Sequence, residues 1–159
     1  MNKNYDSVYV MNWTLNTTNI EGGQFRTING NSDELIAVGR ITKAGFPCSV
    51  PITTNGRYDA IIDIGNNKLI RIQIKGTSIG TAGFTGGGRS GKQVSRDVAQ
   101  RTYKYTKNDC DLILVLDGKN GDCYLIPIED IAQWGNTKSL SQLQEYRENW
   151  EILKSMADN

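Results

Sequence analysis

The stretch that decides the fold is DAIIDIGNNKLIRIQIK, residues 59–75. Two isoleucine-rich segments flank Gly65-Asn66-Asn67, and glycine and asparagine at that place favour a tight turn between paired strands. Side chains alternate along a strand, so Gln73 and Lys75 lie on one face and the isoleucines on the other. The predicted hairpin brings Asp59, where the first strand starts, beside the end of the second strand that carries Gln73 and Lys75.

These three side chains match hydrolysis assisted by a hard cation, because carboxylate and amide oxygens are ligands of Mg²⁺. In that interpretation Asp59 anchors the metal, Gln73 adds a neutral oxygen, and Lys75 orients or activates a water molecule. A polar face is also typical of an ordinary half-exposed strand, so the strand by itself leaves both interpretations open. Asp63 shares the strand face of Asp59 and is a second candidate ligand, although the Arg-Tyr-Asp context favours Asp59.

Composition restricts the chemistry further. The chain has 159 residues, enough for one domain, and its formal charge of +1 does not itself indicate nucleic-acid binding. It contains no histidine, which excludes Ser-His-Asp and Cys-His catalysis and histidine-ligated zinc. The three cysteines lack C-x-x-C spacing and are expected to be buried thiols. No apolar run approaches the ~18 residues that span a bilayer. We expect a soluble, cytoplasmic protein with no membrane partner and no signal peptide.

The chain as a whole is expected to be α/β. Residues 1–30 are predicted to be an N-terminal extension, either a strand (residues 7–11) or an arm, and residues 31–159 a single domain. A helix is predicted from Asn31 with Leu35, Val38 and Ile41 on its apolar face, ending at Gly45. Further strands are predicted at 48–52, 111–116 and 123–128, with a mobile loop at 76–91 and a helix at 94–105. A final helix is predicted to be capped by Ser139 and Gln142. The apolar face of that helix is Leu140, Leu143, Trp150 and Leu153.

With these elements in place the chain resembles the PD-(D/E)XK nucleases, and in detail the small group I intron-associated homing endonucleases of that superfamily. The resemblance covers residues 32–76 well and rests on the segments 34–40, 43–46, 50–52, 56–59 and 71–75. It implies a restriction-endonuclease-like core, a mixed central β-sheet flanked by helices. Asp59 then corresponds to the primary metal ligand and Lys75 to the catalytic lysine. Gln73 takes the place usually filled by Asp or Glu, and Glu34 reaches the site as an additional acidic group.

The resemblance also implies a metal, a substrate and products. The metal is Mg²⁺, for which Mn²⁺ can substitute; the substrate is double-stranded DNA; and the products carry 5′-phosphate and 3′-hydroxyl ends. One site cuts one strand, so a homodimer or homotetramer is expected. Two residues have alternative interpretations. Glu34 lies three residues after Asn31, where a capping box would make it structural. Arg71 either contacts phosphate or pairs with Asp63 or Asp59.

The segment from Gly86 to Lys92 imitates a nucleotide-binding P-loop, but position 93 is glutamine where Mg²⁺ coordination needs Ser or Thr. We therefore expect no nucleotide cofactor. Basic residues are concentrated here and suit phosphate contact, although a solvated helix face is the alternative. The residues predicted to bind nucleic acid are Arg89, Lys92, Gln93, Arg96, Arg101 and Lys104.

The sequence thus predicts a metal-dependent DNA endonuclease, of homing type. Because Gln73 replaces an acidic residue, a catalytically degenerate nucleic-acid-binding module is the alternative from another class. Restriction and junction-resolving nucleases share the same site, and a toxin nuclease acting on RNA is a further alternative.

Overall fold

A computed structural model describes residues 19–53, 56–87 and 102–158. The predicted strand at residues 7–11 lies outside them. The helices are α1 (Gly22–Lys43), α2 (Ile128–Ala132) and α3 (Glu151–Asp158). The strands are β1 (Cys48–Ser49), β2 (Ala60–Gly65), β3 (Lys68–Thr77), β4 (Thr81–Gly83), β5 (Thr85–Gly87), β6 (Thr102–Lys104), β7 (Leu112–Asp117), β8 (Cys123–Pro127) and β9 (Thr137–Ser139).

The central sheet has the strand order β1-β2-β3-β7-β8, in which β3 and β7 are parallel and the other neighbours antiparallel. Strand β7 is buried from Leu112 to Leu116, as expected for a continuous apolar strand covered on both faces. Helices α1 and α3 cover one face of the sheet, where they pack against isoleucines of β2 and β3. The other face packs against Phe84, Tyr105 and Leu143. The predicted mixed α/β architecture is confirmed.

The hairpin of residues 59–75 forms as predicted. Ala60 pairs with Ile72, and the turn residues Asn66 and Asn67 have φ angles of 53° and 59°. Consecutive left-handed residues are what a type I′ turn requires, and asparagine tolerates that conformation better than most residues. The register places the start of β2 beside the C-terminal half of β3, which fixes where the candidate site is built.

The first helix starts earlier than the sequence suggested. It begins at Gly22 rather than near Asn31, so it crosses the boundary predicted at residue 30. Its buried face is Asp33, Ala37 and Ile41, whereas Leu35 is 74% exposed. The helix ends before Gly45, whose φ of 99° suits glycine. Since Asn31 lies inside the helix and does not cap it, the capping-box interpretation of Glu34 is wrong.

Other predicted elements also need correction. Residues 76–91 were expected to be a loop, but β3 extends to Thr77 and residues 81–83 and 85–87 form the short strands β4 and β5. The predicted helix at 94–105 is wrong for residues 102–104, which form β6 by pairing with β5; residues 94–101 lie outside the described residues. The composition of β5 explains why this segment was expected to be a loop: two of its three residues are glycines, which are depleted in strands.

The C-terminal helix is shorter than predicted. Ser139 and Gln142 do form a capping box, but it caps a single 3-10 turn, Leu140–Gln142, and a second such turn follows. Helix α3 is separate and brings Leu153 into the core beside β2. The strand predicted at 48–52 is reduced to Cys48–Ser49.

The three cysteines are free thiols: Cys110 and Cys123 are buried and Cys48 is half-buried. None of the helices within the described ranges is long and apolar enough to span a membrane.

Candidate active site

Asp59 is fixed against β3 by its backbone and its side chain. Its N–H donates to the carbonyl of Ile72 at 2.8 Å, which continues the antiparallel pairing one residue beyond β2. Its Oδ2 accepts the backbone N–H of Ile74 at 2.7 Å and the side-chain amide of Gln73. Burial raises the pKa of Asp59 above its usual value, although these hydrogen bonds and the nearby Lys75 act in the opposite direction.

Gln73 is buried in the middle of β3. Its Nε2 donates to Asp59 and also lies 3.3 Å from the carbonyl oxygen of Ile74. Because the nitrogen is engaged in this way, the amide oxygen is the atom that Gln73 can offer to a cation. A buried glutamine in a strand needs such partners, since an unpaired buried amide costs free energy.

Lys75 follows two residues later on the same face of β3. Its Nζ lies 5.0 Å from the centroid of the buried Tyr105 ring, within the range of a cation–π contact. Burial lowers the pKa of Lys75, whereas the carboxylates of Asp59 and Glu34 act to raise it. The ammonium therefore lies between an aromatic face and two acidic groups.

Glu34 reaches this place from α1. Together with Asp59 it lines a cleft of about 220 Å³ that is bordered by Leu35, Val38 and Val50. Partial loss of water around its carboxylate, and then the charge of Asp59, raise the pKa of Glu34; Lys75 acts to lower it. The structure thus brings the four residues predicted for catalysis to one place: Glu34, Asp59, Gln73 and Lys75.

The donor set fits a hard divalent cation. Two carboxylates and one amide oxygen are oxygen ligands, as Mg²⁺ and Mn²⁺ prefer. No cluster of three or more His, Cys, Asp or Glu residues suited to a metal occurs in the described parts of the chain. Burial raises the pKa of Asp59 and Glu34, and a nearby cation would act in the opposite direction by favouring the ionised form of both.

Asp33 is a residue that sequence analysis missed. It is buried beside Gly76 and Gly118, next to Glu34 in the chain, and burial raises its pKa. The spacing of Asp33, Ala37 and Ile41 at every fourth position could have shown that the aspartate shares the buried face of α1. The more hydrophobic Leu35 and Val38 suggested a different face.

Two other candidates do not join the site. Asp63 lies at the far end of β2, where its Oδ1 accepts the N–H of Gly65 at 2.9 Å. Arg71 pairs with Asp111 at 3.2 Å and donates to the backbone carbonyls of Asn108 and Lys107. Arg71 therefore forms an ion pair, which was one of its two interpretations, but its partner is neither Asp63 nor Asp59.

The predicted nucleic-acid-binding residues are described only in part. Arg89, Lys92, Gln93, Arg96 and Arg101 lie outside the described residues. Lys104 lies in β6, and its ammonium donates to the backbone carbonyls of Trp134 and, at 3.4 Å, Ala132. In this conformation Lys104 is used to hold β6 against the segment that follows α2.

Comparison with known proteins identifies a family and a similar fold. The sequence model of a family described as PD-(D/E)XK endonuclease matches residues 26–153. Among solved structures, the bacterial homing endonuclease I-Ssp6803I is similar, with 20% sequence identity and a TM-score of 0.65. The match covers 83% of this chain and 95% of that one. No curated protein matches the sequence. At this identity the structural likeness concerns the fold.

Proposed function

The chain belongs to the PD-(D/E)XK endonuclease family, and on this premise we propose that it is a Mg²⁺-dependent endonuclease that hydrolyses phosphodiester bonds in double-stranded DNA. The observation that supports this best is the proximity of four side chains. Gln73 donates a hydrogen bond to Asp59, Glu34 and Asp59 line one cleft, and the charges of both carboxylates act on Lys75. Mn²⁺, which takes similar oxygen ligands, is expected to substitute for Mg²⁺.

Each residue has a distinct role in this proposal. Asp59 and Glu34 hold the cation through carboxylate oxygens, and Gln73 adds its amide oxygen. When bound, the cation would supply positive charge that offsets the charge of the phosphate and polarises the attacking water. Lys75 orients that water with its ammonium group. The hydrogen bonds that Ile74 and Gln73 donate to Asp59 keep its carboxylate in one orientation.

The proposal extends to a homing-type double-strand break. It is supported by the fold shared with the bacterial homing endonuclease I-Ssp6803I. One site cleaves one strand, so a homodimer or homotetramer would present two sites to the duplex. The products are expected to carry 5′-phosphate and 3′-hydroxyl ends, as the family resemblance implies.

A plasmid-cleavage assay tests the site. Wild-type protein with Mg²⁺ or Mn²⁺ should nick or linearise supercoiled DNA, and EDTA should abolish this. Asp59→Ala and Lys75→Ala should each lower the rate by at least about 100-fold, the scale of losing a catalytic group. Asp63→Ala is the matched control, because it removes a carboxylate from β2, the strand that follows Asp59, at a position outside the cleft. Metal-dependent cleavage that survives both site substitutions would overturn the assignment.

Gln73 supports one other candidate function, a nucleic-acid-binding module whose site has lost catalysis. The substitution of an amide for a carboxylate removes one negative charge that would otherwise hold the cation. Such a module would bind DNA in a gel-shift assay and leave plasmid, linear duplex and branched DNA uncut at every metal concentration. The same assay on tRNA separates an RNA nuclease from both.

A further inference from the structure

Arg57 is held in place although more than half of its side chain is exposed. The guanidinium Nη1 donates to Oδ1 of Asp109 at 2.8 Å, and the side chains of Arg57 and Asp109 are 58% and 6% exposed. The other oxygen of Asp109 accepts the backbone N–H and the hydroxyl of Thr106, both at 2.9 Å. Burial alone would raise the pKa of Asp109, but the hydrogen bonds from Arg57 and Thr106 outweigh it and hold the pKa below its usual value.

An aromatic ring fixes the guanidinium from a second direction. The Cζ atom of Arg57 lies 4.3 Å from the centroid of the Tyr103 ring, and that ring meets Tyr105 edge to face at 5.5 Å. Both tyrosine hydroxyls lie against Gly86, where a β-carbon would be 2.6 Å from each oxygen. Tyr105 in turn carries Lys75 over its ring. A continuous row of side chains therefore joins the exposed Arg57 to the lysine of the candidate active site.

The pairing of Arg57 differs from an ordinary surface ion pair. Exposed pairs usually contribute little, since two long side chains lose entropy when they meet. Here the acidic partner is already fixed by Thr106, and the arginine is fixed by Asp109 and Tyr103. A planar guanidinium has five N–H groups, and Asp109 accepts one hydrogen bond from it. The exposed part of the Arg57 guanidinium is accessible to a ligand.

We propose that Arg57 is a preorganised contact for a DNA backbone phosphate, placed two residues before Asp59 at the edge of the active site. It rests on the proposed DNA-nuclease function and adds to it a residue not among the predicted nucleic-acid contacts. Arginine suits phosphate oxygens because of its fork of N–H groups, and a fixed guanidinium loses less entropy when it binds. Such a contact positions the duplex and does not identify bases.

The salt dependence of DNA binding tests the proposal. Binding of a fluorescein-labelled duplex of about 30 base pairs is measured by anisotropy in EDTA at several NaCl concentrations, so that no cleavage intervenes. Losing one phosphate contact should reduce the slope of log Kobs against log[salt] by about 1 in Arg57→Gln. Lys154→Gln is the matched control, since it also removes one cation from an ion pair, with Glu151 in α3, and should leave the slope unchanged.

Substitutions at position 103 test the preorganisation without changing charge. Tyr103→Phe keeps the ring and should bind DNA like the wild type, whereas Tyr103→Leu should weaken binding about two- to fivefold at fixed salt. Equal slopes for Arg57→Gln and Lys154→Gln would overturn the proposal, and equal affinities for Tyr103→Leu and Tyr103→Phe would overturn the role of the ring. If the slope falls as expected but wild-type protein cuts no DNA, the phosphate contact stands and the proposed nuclease function fails.

Discussion

The carboxylate of Asp33 lies where a side chain at position 76 would have to be. A β-carbon built on Gly76 would approach Oδ2 of Asp33 to 1.7 Å, far inside van der Waals contact. This close approach lets α1 lie directly against the end of β3. Glu34, the chain neighbour of Asp33, is thereby brought to the cleft that Asp59 lines. Lys75, the chain neighbour of Gly76, lies close enough to both carboxylates for their charges to act on its pKa.

Replacing Gly76 with alanine should therefore disturb the site. The new methyl group must displace a buried carboxylate and, with it, the segment of α1 that carries Glu34. Overpacking of this kind costs about 1–3 kcal/mol, and we expect the cleavage rate to fall at least about tenfold because Glu34 moves. Thermal unfolding and single-turnover cleavage measure the two effects.

Gly39→Ala provides the matched control for this substitution. Position 39 lies in the interior of α1, and a β-carbon there would meet nothing within 4 Å. Alanine should stabilise the helix by about 0.5–1 kcal/mol, because glycine loses more backbone entropy on folding. A Gly76→Ala protein as stable and as active as Gly39→Ala would show that α1 is not held against β3 in this way.

Asp33 should make stability depend on pH. Burial raises its pKa in the folded protein, so the folded state keeps a proton at pH values where the unfolded state has lost it. The free energy of unfolding then falls as the pH rises from the unfolded pKa, about 3.9, through the folded one. Asp33→Asn removes this penalty. Its gain in urea stability over wild type should be larger at pH 7 than near pH 3.5.

Glu145→Gln is the control for the pH series, because it removes the same charge from an exposed side chain. Its effect should differ little between the two pH values. A gain for Asp33→Asn that is larger at the acidic pH would contradict the burial of an ionised carboxylate beside Gly76.

The sequence was sufficient to predict the hairpin and its three polar side chains because their placement is local. Two asparagines fix the turn, and the alternation of β3 puts Gln73 and Lys75 on one face. The buried strand β7 was equally clear from five consecutive apolar residues. The site could be predicted to the extent that it depends on one turn and one strand.

The elements that could not be predicted are those that depend on contacts with residues distant in the sequence. The start of α1 contains glycines, asparagines and a threonine, which are poor helix formers, yet the segment is helical. Strands β5 and β6 exist because Gly86 pairs with Tyr103, a contact between segments that each look irregular. For the same reason Arg57, Asp109 and Tyr103 gave no common signal: they meet only in the folded chain.

Tyr105 should affect turnover through Lys75. Removing the ring in Tyr105→Leu takes away a cation–π contact of about 0.5–2 kcal/mol, so the catalytic rate constant should fall about two- to 30-fold while KM changes little. Tyr105→Phe keeps the ring face over which Nζ lies and should retain most of the rate. Single-turnover kinetics at saturating DNA measure the difference.

Phe84→Leu separates this effect from a general loss of packing. Phe84 is buried in the same core as Tyr105, but its ring packs against Trp134, whereas the ring of Tyr105 lies under the ammonium of Lys75. It should lose a similar amount of stability without the loss of rate. Equal rates for Phe84→Leu and Tyr105→Leu at a temperature where both are folded would remove the special role of the ring.

Gln73→Glu tests whether the amide is a working ligand. Without metal, the new carboxylate would face Oδ2 of Asp59, where Gln73 now donates a hydrogen bond. Loss of that bond and the like charges should destabilise the protein at neutral pH by about 1–3 kcal/mol. Mg²⁺ would offset the repulsion, so the rise in Tm on adding Mg²⁺ should be larger than in the wild type. Gln73→Leu, which offers no oxygen, should show a smaller rise than the wild type. If all three proteins respond equally to Mg²⁺, the cation is held without residue 73, and the ligand set must be sought in Asp59, Glu34 and the backbone.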